Sequence, residues 1–257
     1  MANDTASHGN NLAGRVVLIT GAGRRLGAAT ARYLHAIGMN VVIHYHHSAF
    51  DARALADDLN TQRPNSAITL QADLLVHENL APLIEQAAQQ WNRLDALINN
   101  ASAFYPTPLV TAPEQLHSQW NELMGSNLHA PFFLSTAAAL HLQKTQGSII
   151  NLLDSNLNKP MTEHSIYLAA KAGLASLTRS LALELAPDIR VNAIAPGAIL
   201  WPEADAAIDE AQKQKLLSGI PLNRTGTPND IAQAIAYLLS APYVSGHTLA
   251  IDGGRSI

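Results

Sequence analysis

The sequence predicts an α/β fold in which helices cover both faces of one parallel β-sheet of about seven strands. Short apolar runs alternate along the chain with longer segments of helical periodicity. The runs are continuously hydrophobic, as expected for strands buried on both faces. Alternation of this kind predicts a doubly wound sheet with right-handed crossovers. Because the chain contains no evident linker, repeat or low-complexity block, we expect residues 12–257 to form a single domain.

The individual elements follow from the same patterns. The predicted strands lie at residues 15–20, 41–45, 67–71, 94–98, 148–153, 190–194 and 248–251, and the predicted helices at 28–37, 51–60, 77–91, 113–142, 167–185 and 228–239. The long helix contains Pro131, where a missing backbone N–H predicts a kink. Residues 199–227 are too long for a simple connection and contain an amphipathic stretch at 203–217, so they predict a lid or substrate loop.

The composition limits the classes of function. The chain has 257 residues, of which 47% are hydrophobic, and this is enough for a substantial core. A net charge of −4 gives no indication of nucleic acid or an anionic membrane as partner. The absence of cysteine excludes disulfides and thiolate metal sites, and no apolar run approaches the roughly 20 residues of a membrane span. Residues 1–11 lack an apolar signal core, so we expect a flexible tail on a cytoplasmic protein.

Gly21, Gly23 and Gly27 form a glycine-rich turn between the first strand and the first helix. Such a turn lets the backbone approach a pyrophosphate at the N-terminus of the helix. The spacing is G-x-G-x-x-x-G instead of the dinucleotide fingerprint G-x-G-x-x-G, so an ordinary tight turn is the alternative. Because strand, turn and helix occur in this order, the pattern favours a dinucleotide cofactor.

The second strand ends in His44-Tyr-His-His-Ser48, with no carboxylate to bind a ribose 2′-hydroxyl. The first acid, Asp51, already lies in the next helix. The missing carboxylate, with Arg24 and Arg25 nearby, favours a 2′-phosphate and therefore NADPH. A metal site built on the three histidines is an alternative, but no local carboxylate or cysteine completes its shell. We therefore expect no bound metal, and a solvated polar strand end is the remaining interpretation.

Two further strand ends carry candidate ligand residues at the carboxyl edge of the sheet. Asp73 follows the third strand, where it would contact a ligand or cap the next helix. The fourth strand leads into a loop with Phe104 and Tyr105. This aromatic pair would either stack on a flat ring or pin the loop to the core.

Tyr167 and Lys171 are four residues apart in a helical segment, so both side chains lie on one face. Two unit charges about 4 Å apart at an effective dielectric constant of about 20 interact by about 4 kcal/mol, or roughly three pKa units. The ammonium is therefore expected to lower the pKa of the phenol towards neutrality. A packed ring beside a solvated charge is the alternative.

Together these motifs resemble the short-chain dehydrogenase/reductase family over nearly the whole globular part. The resemblance rests on Thr20-Gly21 with Gly27, Asn99-Asn100-Ala101, Asn127, Tyr167-x-x-x-Lys171 and Pro196-Gly197. It implies a Rossmann-type fold, a homotetramer and catalysis by Tyr167 and Lys171 with Asn127. It also implies a cofactor site composed of Gly21, Gly23, Arg25, Leu26, Gly27, Asp73, Leu74, Asn99, Ala101, Lys171, Pro196 and Gly197. In that site Asp73 would meet the adenine, Asn99 the ribose and Lys171 the nicotinamide ribose.

Two departures from the usual family pattern resemble pteridine reductases. Arg25 stands where the family turn usually has glycine, and Asp154 stands at the position of the usual catalytic serine. The resemblance implies that Arg25 reaches the phosphates and the pterin, and that Phe104, near Ser102, sandwiches the pterin against the nicotinamide. It further implies that His46, His47 and Ser48 hold the 2′-phosphate. Because His47 replaces a frequent arginine, the preference for NADPH is expected to be weaker.

The expected reaction is NADPH-dependent reduction of a pterin such as dihydrobiopterin or dihydromonapterin, or of dihydrofolate. Asp154 would orient Tyr167, and a carboxylate beside a phenol opposes phenolate formation, which suits a proton donor. Ser155 competes with Asp154 for the role of the family serine. With Ser155 in that role, the protein would be a carbonyl or 3-oxoacyl reductase. A catalytically silent NADPH-binding regulator is the second alternative, which the intact Tyr167 and Lys171 disfavour.

Overall fold

The computed structural model describes residues 12–200 and 209–257. Its centre is a seven-stranded, all-parallel sheet with the order β3-β2-β1-β4-β5-β6-β7. The strands are β1 (Val16–Ile19), β2 (Asn40–Tyr45), β3 (Ala67–Gln71), β4 (Ala96–Asn99), β5 (Ser148–Leu152), β6 (Arg190–Pro196) and β7 (Thr248–Ile251). The predicted parallel α/β fold is therefore confirmed.

Eight α-helices connect these strands in the described ranges. They are α1 (Arg25–Ala36), α2 (Ala49–Gln62), α3 (Leu80–Gln89), α4 (Pro113–Met124), α5 (Ala130–Thr145), α6 (Ser165–Glu184), α7 (Glu210–Ser218) and α8 (Pro228–Ser240). Single 3-10 turns precede α3 at His77–Asn79 and follow β5 at Ser155–Asn158. In the described ranges, no helix combines the length and apolar character needed to cross a membrane.

The sheet is buried on both faces, which explains its continuous apolar runs. Along β1, Val17 and Ile19 pack into a core layer with α1, α2 and α8, whereas Val16 and Leu18 pack into a second layer with α3, α5 and α6. All four side chains are fully buried. Successive strand residues point to opposite faces, so both faces must be apolar.

The strand order places a ligand crevice between β1 and β4. From β1 the chain runs outward through β2 and β3, then returns to β4 on the other side of β1. Connections leave these two neighbouring strands in opposite directions, and such a switch point opens a crevice at the carboxyl ends of the strands. The glycine-rich turn after β1 and the loop after β4 border this crevice.

The long helix predicted at 113–142 is interrupted close to the proline. One π-helical turn at Gly125–His129 separates α4 from α5. Pro131 follows in the first turn of α5, and a proline preceded by helical residues lacks an N–H donor and crowds the carbonyl group four residues earlier, here that of Asn127 in the π-helical turn. The irregularity therefore lies near Pro131, as predicted, and takes the form of a wider turn that contains the buried Asn127.

The predicted substrate loop is only partly described. Helix α7 covers the second part of the amphipathic stretch predicted at 203–217, and residues 201–208 lie outside the described ranges. The predicted flexible tail at residues 1–11 lies outside them as well. The lid role of 199–227 stays a prediction.

Candidate active site

Helix α6 places Tyr167 and Lys171 one turn apart on its buried face. Their side chains are 5% and 3% exposed, and the Lys171 Nζ atom lies 5.7 Å from the centre of the Tyr167 ring. Neighbouring Ala170 and Leu174 are small or apolar and also buried, so the helix packs closely against the sheet. The local pattern of good helix formers is what brings phenol and ammonium into one space.

Asp154 follows β5 and reaches the phenol. The Tyr167 hydroxyl donates to Asp154 Oδ2 at 3.0 Å. The other carboxylate oxygen accepts from the backbone N–H and the side-chain NH₂ of Asn156, at 2.7 and 2.8 Å. One carboxylate oxygen of Asp154 therefore caps the local turn, and the other accepts from the phenol, as the predicted orienting role requires.

Ser155, the competing candidate, does not reach the phenol. It is 7% exposed, and its hydroxyl oxygen has no hydrogen-bond partner among the described residues. Of the two candidates for the position of the family serine, Asp154 and not Ser155 forms a hydrogen bond with Tyr167.

The surroundings of Tyr167 raise the pKa of its phenol. Burial has the largest effect, and the charge and the hydrogen bond of Asp154 act in the same direction. The expectation that Lys171 lowers this pKa is wrong for this arrangement. The ammonium donates to the Leu152 carbonyl oxygen at 2.7 Å instead of the phenol. Tyr167 is therefore a neutral hydrogen-bond donor at physiological pH.

Lys171 is a buried cation whose ammonium group has N–H donors available for a ligand. Burial lowers its pKa to about 8, partly offset by the negative charge of Asp154. An ammonium has three N–H groups, and among the described residues its one hydrogen bond goes to Leu152. The remaining donors suit hydroxyl groups such as those of a ribose.

The glycine-rich turn brings the N-terminus of α1 to the crevice. Gly21 has a left-handed backbone with φ +61°, and a Cβ atom at Gly27 would lie 2.5 Å from the Gly21 carbonyl oxygen. Glycine at these positions therefore allows the tight turn and the close packing of helix on strand. The N-cap residue Arg24 makes no side-chain capping bond. Helix N–H groups in such a place suit an anionic group.

Arg25, the first departure from the family pattern, also has left-handed backbone, with φ +52°. Glycine adopts this conformation without strain, whereas a residue with a Cβ atom pays about 1–2 kcal/mol. An exposed arginine in this conformation is a strained position of the kind that clusters at functional sites.

The end of β2 lies beside this turn. The His46 and His47 rings lie with centres 3.5 Å apart and planes tilted by 32°, and His46 Nε2 lies 3.8 Å from Asp73 Oδ2. Ser48 packs against Gly23, where a Cβ atom would lie 2.5 Å from the serine hydroxyl. His44 is instead buried beneath them. Within the described ranges, no three His, Cys, Asp or Glu residues are grouped as metal ligands.

The two asparagines after β4 have different positions. Asn99 is buried and its side-chain amide donates to Asn151 and Ser135 at 2.8 and 3.2 Å, so its side chain lies beneath the crevice. Asn100 borders the cavity, and its amide donates to the Thr20 carbonyl oxygen at 2.7 Å. The Thr20 hydroxyl accepts the backbone N–H groups of Asn100 and Ala101, each at 2.9 Å. The sequence did not indicate these roles of Thr20 and Asn100.

Asn127 supports the loop that follows. Its side-chain oxygen accepts from the Ser102 hydroxyl at 2.6 Å, and its NH₂ group donates to the carbonyl oxygens of Ala103 and Leu123, each at 3.0 Å. Within the described chain, its bonds go to this loop and its own helix, not to Tyr167 or Lys171. The structure therefore gives Asn127 a supporting position beside the predicted catalytic pair.

Phe104 projects from this loop as a half-exposed aromatic wall, 54% exposed. Its ring meets the edge of Tyr167 with centres 4.9 Å apart and stacks on His164 at 4.7 Å with planes 25° apart. His164, which precedes α6, was not predicted. A histidine in a loop carries no spacing signal, so only the tertiary fold reveals this contact.

One cavity of 240 Å³ brings Asp154, Tyr167 and Lys171 together with Phe104, whereas the residues predicted at the pyrophosphate, the 2′-phosphate and the adenine lie outside its lining. The predicted residues in its lining are Leu26, Ser102, Phe104, Asp154, Tyr167, Lys171, Pro196 and Gly197. Larger depressions of 490 and 520 Å³ lie near the C-terminus and beside α4, but neither includes Tyr167 or Asp154. The turn, the helix N-terminus and the buried ammonium fit a nicotinamide dinucleotide, with its reactive end near Tyr167.

Comparison with known proteins agrees with this geometry. A family model described as enoyl-(acyl carrier protein) reductase matches residues 21–256. Pteridine reductase 1 of Leishmania tarentolae is 37% identical over an alignment of 282 positions, which covers 94% of this chain and 96% of that protein. Dihydromonapterin reductase of Klebsiella pneumoniae subsp. pneumoniae is 32% identical over 250 residues, with 95% and 97% covered.

A third relative has a different substrate class in its name. The 3-oxoacyl-(acyl-carrier-protein) reductase of Staphylococcus aureus is 34% identical over 241 residues, which cover 92% of this chain and 96% of that protein. All of these matches span nearly the whole sheet and the site built on it. The chain belongs to the short-chain dehydrogenase/reductase family, and it is therefore an oxidoreductase with the fold that binds a nicotinamide cofactor.

Proposed function

We propose that this protein is an NADPH-dependent pteridine reductase that converts a dihydropterin to its tetrahydro form. Dihydrobiopterin, dihydromonapterin and dihydrofolate are the candidate substrates. The observation that carries the proposal is the hydrogen bond from the Tyr167 hydroxyl to Asp154, inside a cavity with an aromatic wall. A neutral phenol backed by a carboxylate suits protonation of a ring nitrogen.

When bound, the cofactor would supply the hydride for the ring carbon of the C=N bond. Tyr167 donates the proton to the adjacent nitrogen, and Asp154 holds the phenol in one orientation. Because burial and Asp154 raise the pKa of the phenol, the proton is present at every physiological pH. The raised pKa keeps the proton on the phenol but weakens the phenol as an acid, so transfer of the proton depends on the basicity that the ring nitrogen gains as the hydride arrives. Asp154, half-buried beside solvent, then supplies the route by which Tyr167 is reprotonated.

Cofactor binding is assigned to the elements around the crevice. Gly21, Gly23 and Gly27 would form the turn at the pyrophosphate, with Arg25 and Leu26 at the start of α1. His46, His47 and Ser48 would hold the 2′-phosphate, which the position of Ser48 beside Gly23 supports. Asp73 and Leu74 would lie at the adenine, and Asn99 and Ala101 in the strand end at the ribose. Lys171, Pro196 and Gly197 would contact the nicotinamide half.

Substrate binding is assigned to Phe104, Ser102 and Arg25. A pterin is flat, and the Phe104 ring offers an apolar face at the mouth of the cavity that already contains Tyr167. Stacking against this face would place the reducible bond near the phenol. The resemblance of the chain to two pterin-reducing relatives supports this substrate class.

A 3-oxoacyl reductase is the second candidate, which the Staphylococcus aureus relative favours. In that chemistry a serine hydroxyl would assist Tyr167 at a ketone. The Ser155 hydroxyl, however, has no partner among the described groups. Asp154 occupies the corresponding place beside the phenol, and a carboxylate there would repel the developing alkoxide.

An absorbance assay at 340 nm with NADPH separates the candidates. We expect turnover with dihydrobiopterin, dihydromonapterin or dihydrofolate and far slower turnover with an acetoacetyl thioester. Reduction of the thioester alone would overturn the pterin assignment. Binding of NADPH without turnover of any of these compounds would favour a regulator. We also propose a cytoplasmic homotetramer, which light scattering of the purified protein tests through its mass.

A further inference from the structure

His44 is a buried imidazole beneath the cofactor crevice that the proposed chemistry does not use. It lies in β2 between the strand centre and the His46–His47 pair, and is 2% exposed. A buried histidine with no catalytic task usually fills space or holds a neighbouring segment. The bonds of its two ring nitrogens distinguish these roles.

Both ring nitrogens are engaged, and together they fix one tautomer. The Gly21 backbone N–H donates to Nδ1 at 3.0 Å, so Nδ1 must be the unprotonated acceptor. Nε2 lies 3.1 Å from the Ala72 carbonyl oxygen, so Nε2 carries the proton and donates. Burial, with a smaller effect from His46, lowers the pKa of His44 to about 4, which agrees with a neutral ring.

The backbone around His44 ties the same two segments together. The His44 carbonyl oxygen accepts from the Ala22 N–H at 2.8 Å, and the Ala72 N–H donates to the Tyr45 carbonyl oxygen at 3.1 Å. Two consecutive N–H groups of the glycine-rich turn thus end on His44. On the other side, Ala72 directly precedes Asp73, which lies 3.8 Å from His46.

We propose that His44 is a positioning residue that locks the glycine-rich turn to the loop after β3, and so preorganises the adenosine diphosphate half of the cofactor site. The turn contacts the pyrophosphate and the loop contacts the adenine in the cofactor site proposed above. The inference rests on that cofactor site but not on the pterin assignment. It holds for any substrate that the nicotinamide end reduces.

Two isosteric variants separate the bonds. In His44→Asn, the side-chain oxygen takes the place of Nδ1 and can accept from Gly21, but the bond to Ala72 is lost. In His44→Gln, the side-chain NH₂ group takes the place of Nε2 and can donate to Ala72, but the acceptor for Gly21 is lost. Because the Gly21 bond acts on the turn itself, His44→Gln is expected to weaken dinucleotide binding more.

The measurement is the dissociation constant of NADPH and of NADH, from nucleotide fluorescence at pH 7.5, for the wild type and both variants. We expect His44→Gln to weaken both dinucleotides about tenfold, the effect of one lost buried hydrogen bond. His44→Asn should stay within about threefold. The kcat at saturating NADPH should change less than about twofold in both variants, because Tyr167 and Asp154 are untouched.

Equal weakening in both variants, no weakening in either, or greater weakening in His44→Asn would overturn the proposal. A space-filling role would lower both melting temperatures and both affinities together.

If either variant does not fold, ¹⁵N NMR of the wild-type imidazoles decides, with NADP⁺ as the added ligand. The proposal requires a neutral Nε2–H ring whose Nδ1 accepts a hydrogen bond both before and after NADP⁺ binds, and an Nδ1–H tautomer or an Nδ1 without a hydrogen bond contradicts it. Loss of the pterin activity alone would refute the proposed substrate and leave this inference standing.

Discussion

At the residue scale, the proton on Tyr167 is controlled by a carboxylate and by burial. A lysine one helical turn away suggests an ionised phenol, but its ammonium bonds to Leu152. Asp154 accepts from the phenol at 3.0 Å and opposes its ionisation. A group held neutral in this way donates a proton and does not withdraw one, which matches reduction of a C=N bond.

Substitutions at Asp154 and Ser155 test this assignment as a matched pair. In Asp154→Asn, the amide oxygen keeps the bonds to Asn156 and the NH₂ group replaces the oxygen that accepts from Tyr167. We expect kcat for the pterin to fall about 100-fold, the contribution of a positioned acid. Ser155→Ala should change kcat less than about twofold, since its hydroxyl has no described partner. The reverse order of effects in the NADPH assay would make Ser155 the functional group.

Arg25 offers a second test at the residue scale. Its backbone has φ +52°, so Arg25→Gly relieves strain of about 1–2 kcal/mol while glycine loses about 0.5–1 kcal/mol in entropy. We expect Arg25→Gly to keep the free energy of unfolding within about 1 kcal/mol of the wild type while kcat/KM for the pterin falls at least about tenfold. Arg25→Ala should lose the same activity and unfold more easily than Arg25→Gly. Chemical denaturation and the steady-state assay measure both quantities, and full activity in either variant would remove Arg25 from the site.

At the element scale, two loops hold the aromatic wall. The loop after β4 is anchored by Asn127 of the π-helical turn on one side. On the other side, the Thr107 hydroxyl and N–H both donate to the Glu163 carbonyl oxygen, just before α6. Phe104 and its stacking partner His164 lie between these anchors. The wall is therefore positioned by contacts between elements, although the loop has no regular structure.

Thr107→Val tests this anchor because it retains the backbone bond and the shape. The loss of one buried hydrogen bond is expected to cost about 1 kcal/mol and to loosen Phe104. We expect KM for the pterin to rise about threefold to tenfold with kcat nearly unchanged. Thr111→Val in the same loop is the control, since its hydroxyl bonds to Gln115 near the surface. If the two variants behave alike, the anchor does not act on the substrate.

At the scale of the whole molecule, the parts that sequence predicts are those with local or periodic signals. The strands follow from apolar runs such as residues 15–20, and the placement of Tyr167 and Lys171 on one face follows from their spacing on α6. The contacts of His44 with Gly21 and of Phe104 with His164 join residues 23 and 60 positions apart, so no local pattern indicates them. The π-helical turn was missed for a related reason, since its wider pitch leaves little trace in hydrophobic spacing.

The buried His44 also predicts how the stability of the molecule depends on pH. Its folded pKa is about 4 and its ordinary value is 6.5, so between these values the unfolded chain binds a proton that the folded chain does not. Stability that is present above pH 6.5 is therefore lost as the pH falls towards 4. A difference of this size corresponds to about 3 kcal/mol. The lowered pKa values of His35 and His129 act in the same direction.

Urea denaturation from pH 7 to pH 4 measures this dependence. The wild type should lose about 3 kcal/mol or more in the free energy of unfolding, and His44→Asn should lose markedly less. A slope that is the same in both proteins would show that His44 is not held neutral.

The most direct test of the central claim is an ultraviolet difference titration that isolates Tyr167. The absorbance of phenolate near 295 nm is followed from pH 6 upward for the wild type and for Tyr167→Phe, and the difference reports this phenol alone. Because burial and Asp154 raise the pKa of Tyr167, we expect no phenolate signal from this residue below about pH 10. We also expect Tyr167→Phe to reduce pterin turnover at least about 1,000-fold while NADPH binding is retained. A Tyr167 phenolate that appears between pH 7 and 8 would contradict the account, because the phenol would then be a base tuned by Lys171 and not the neutral proton donor.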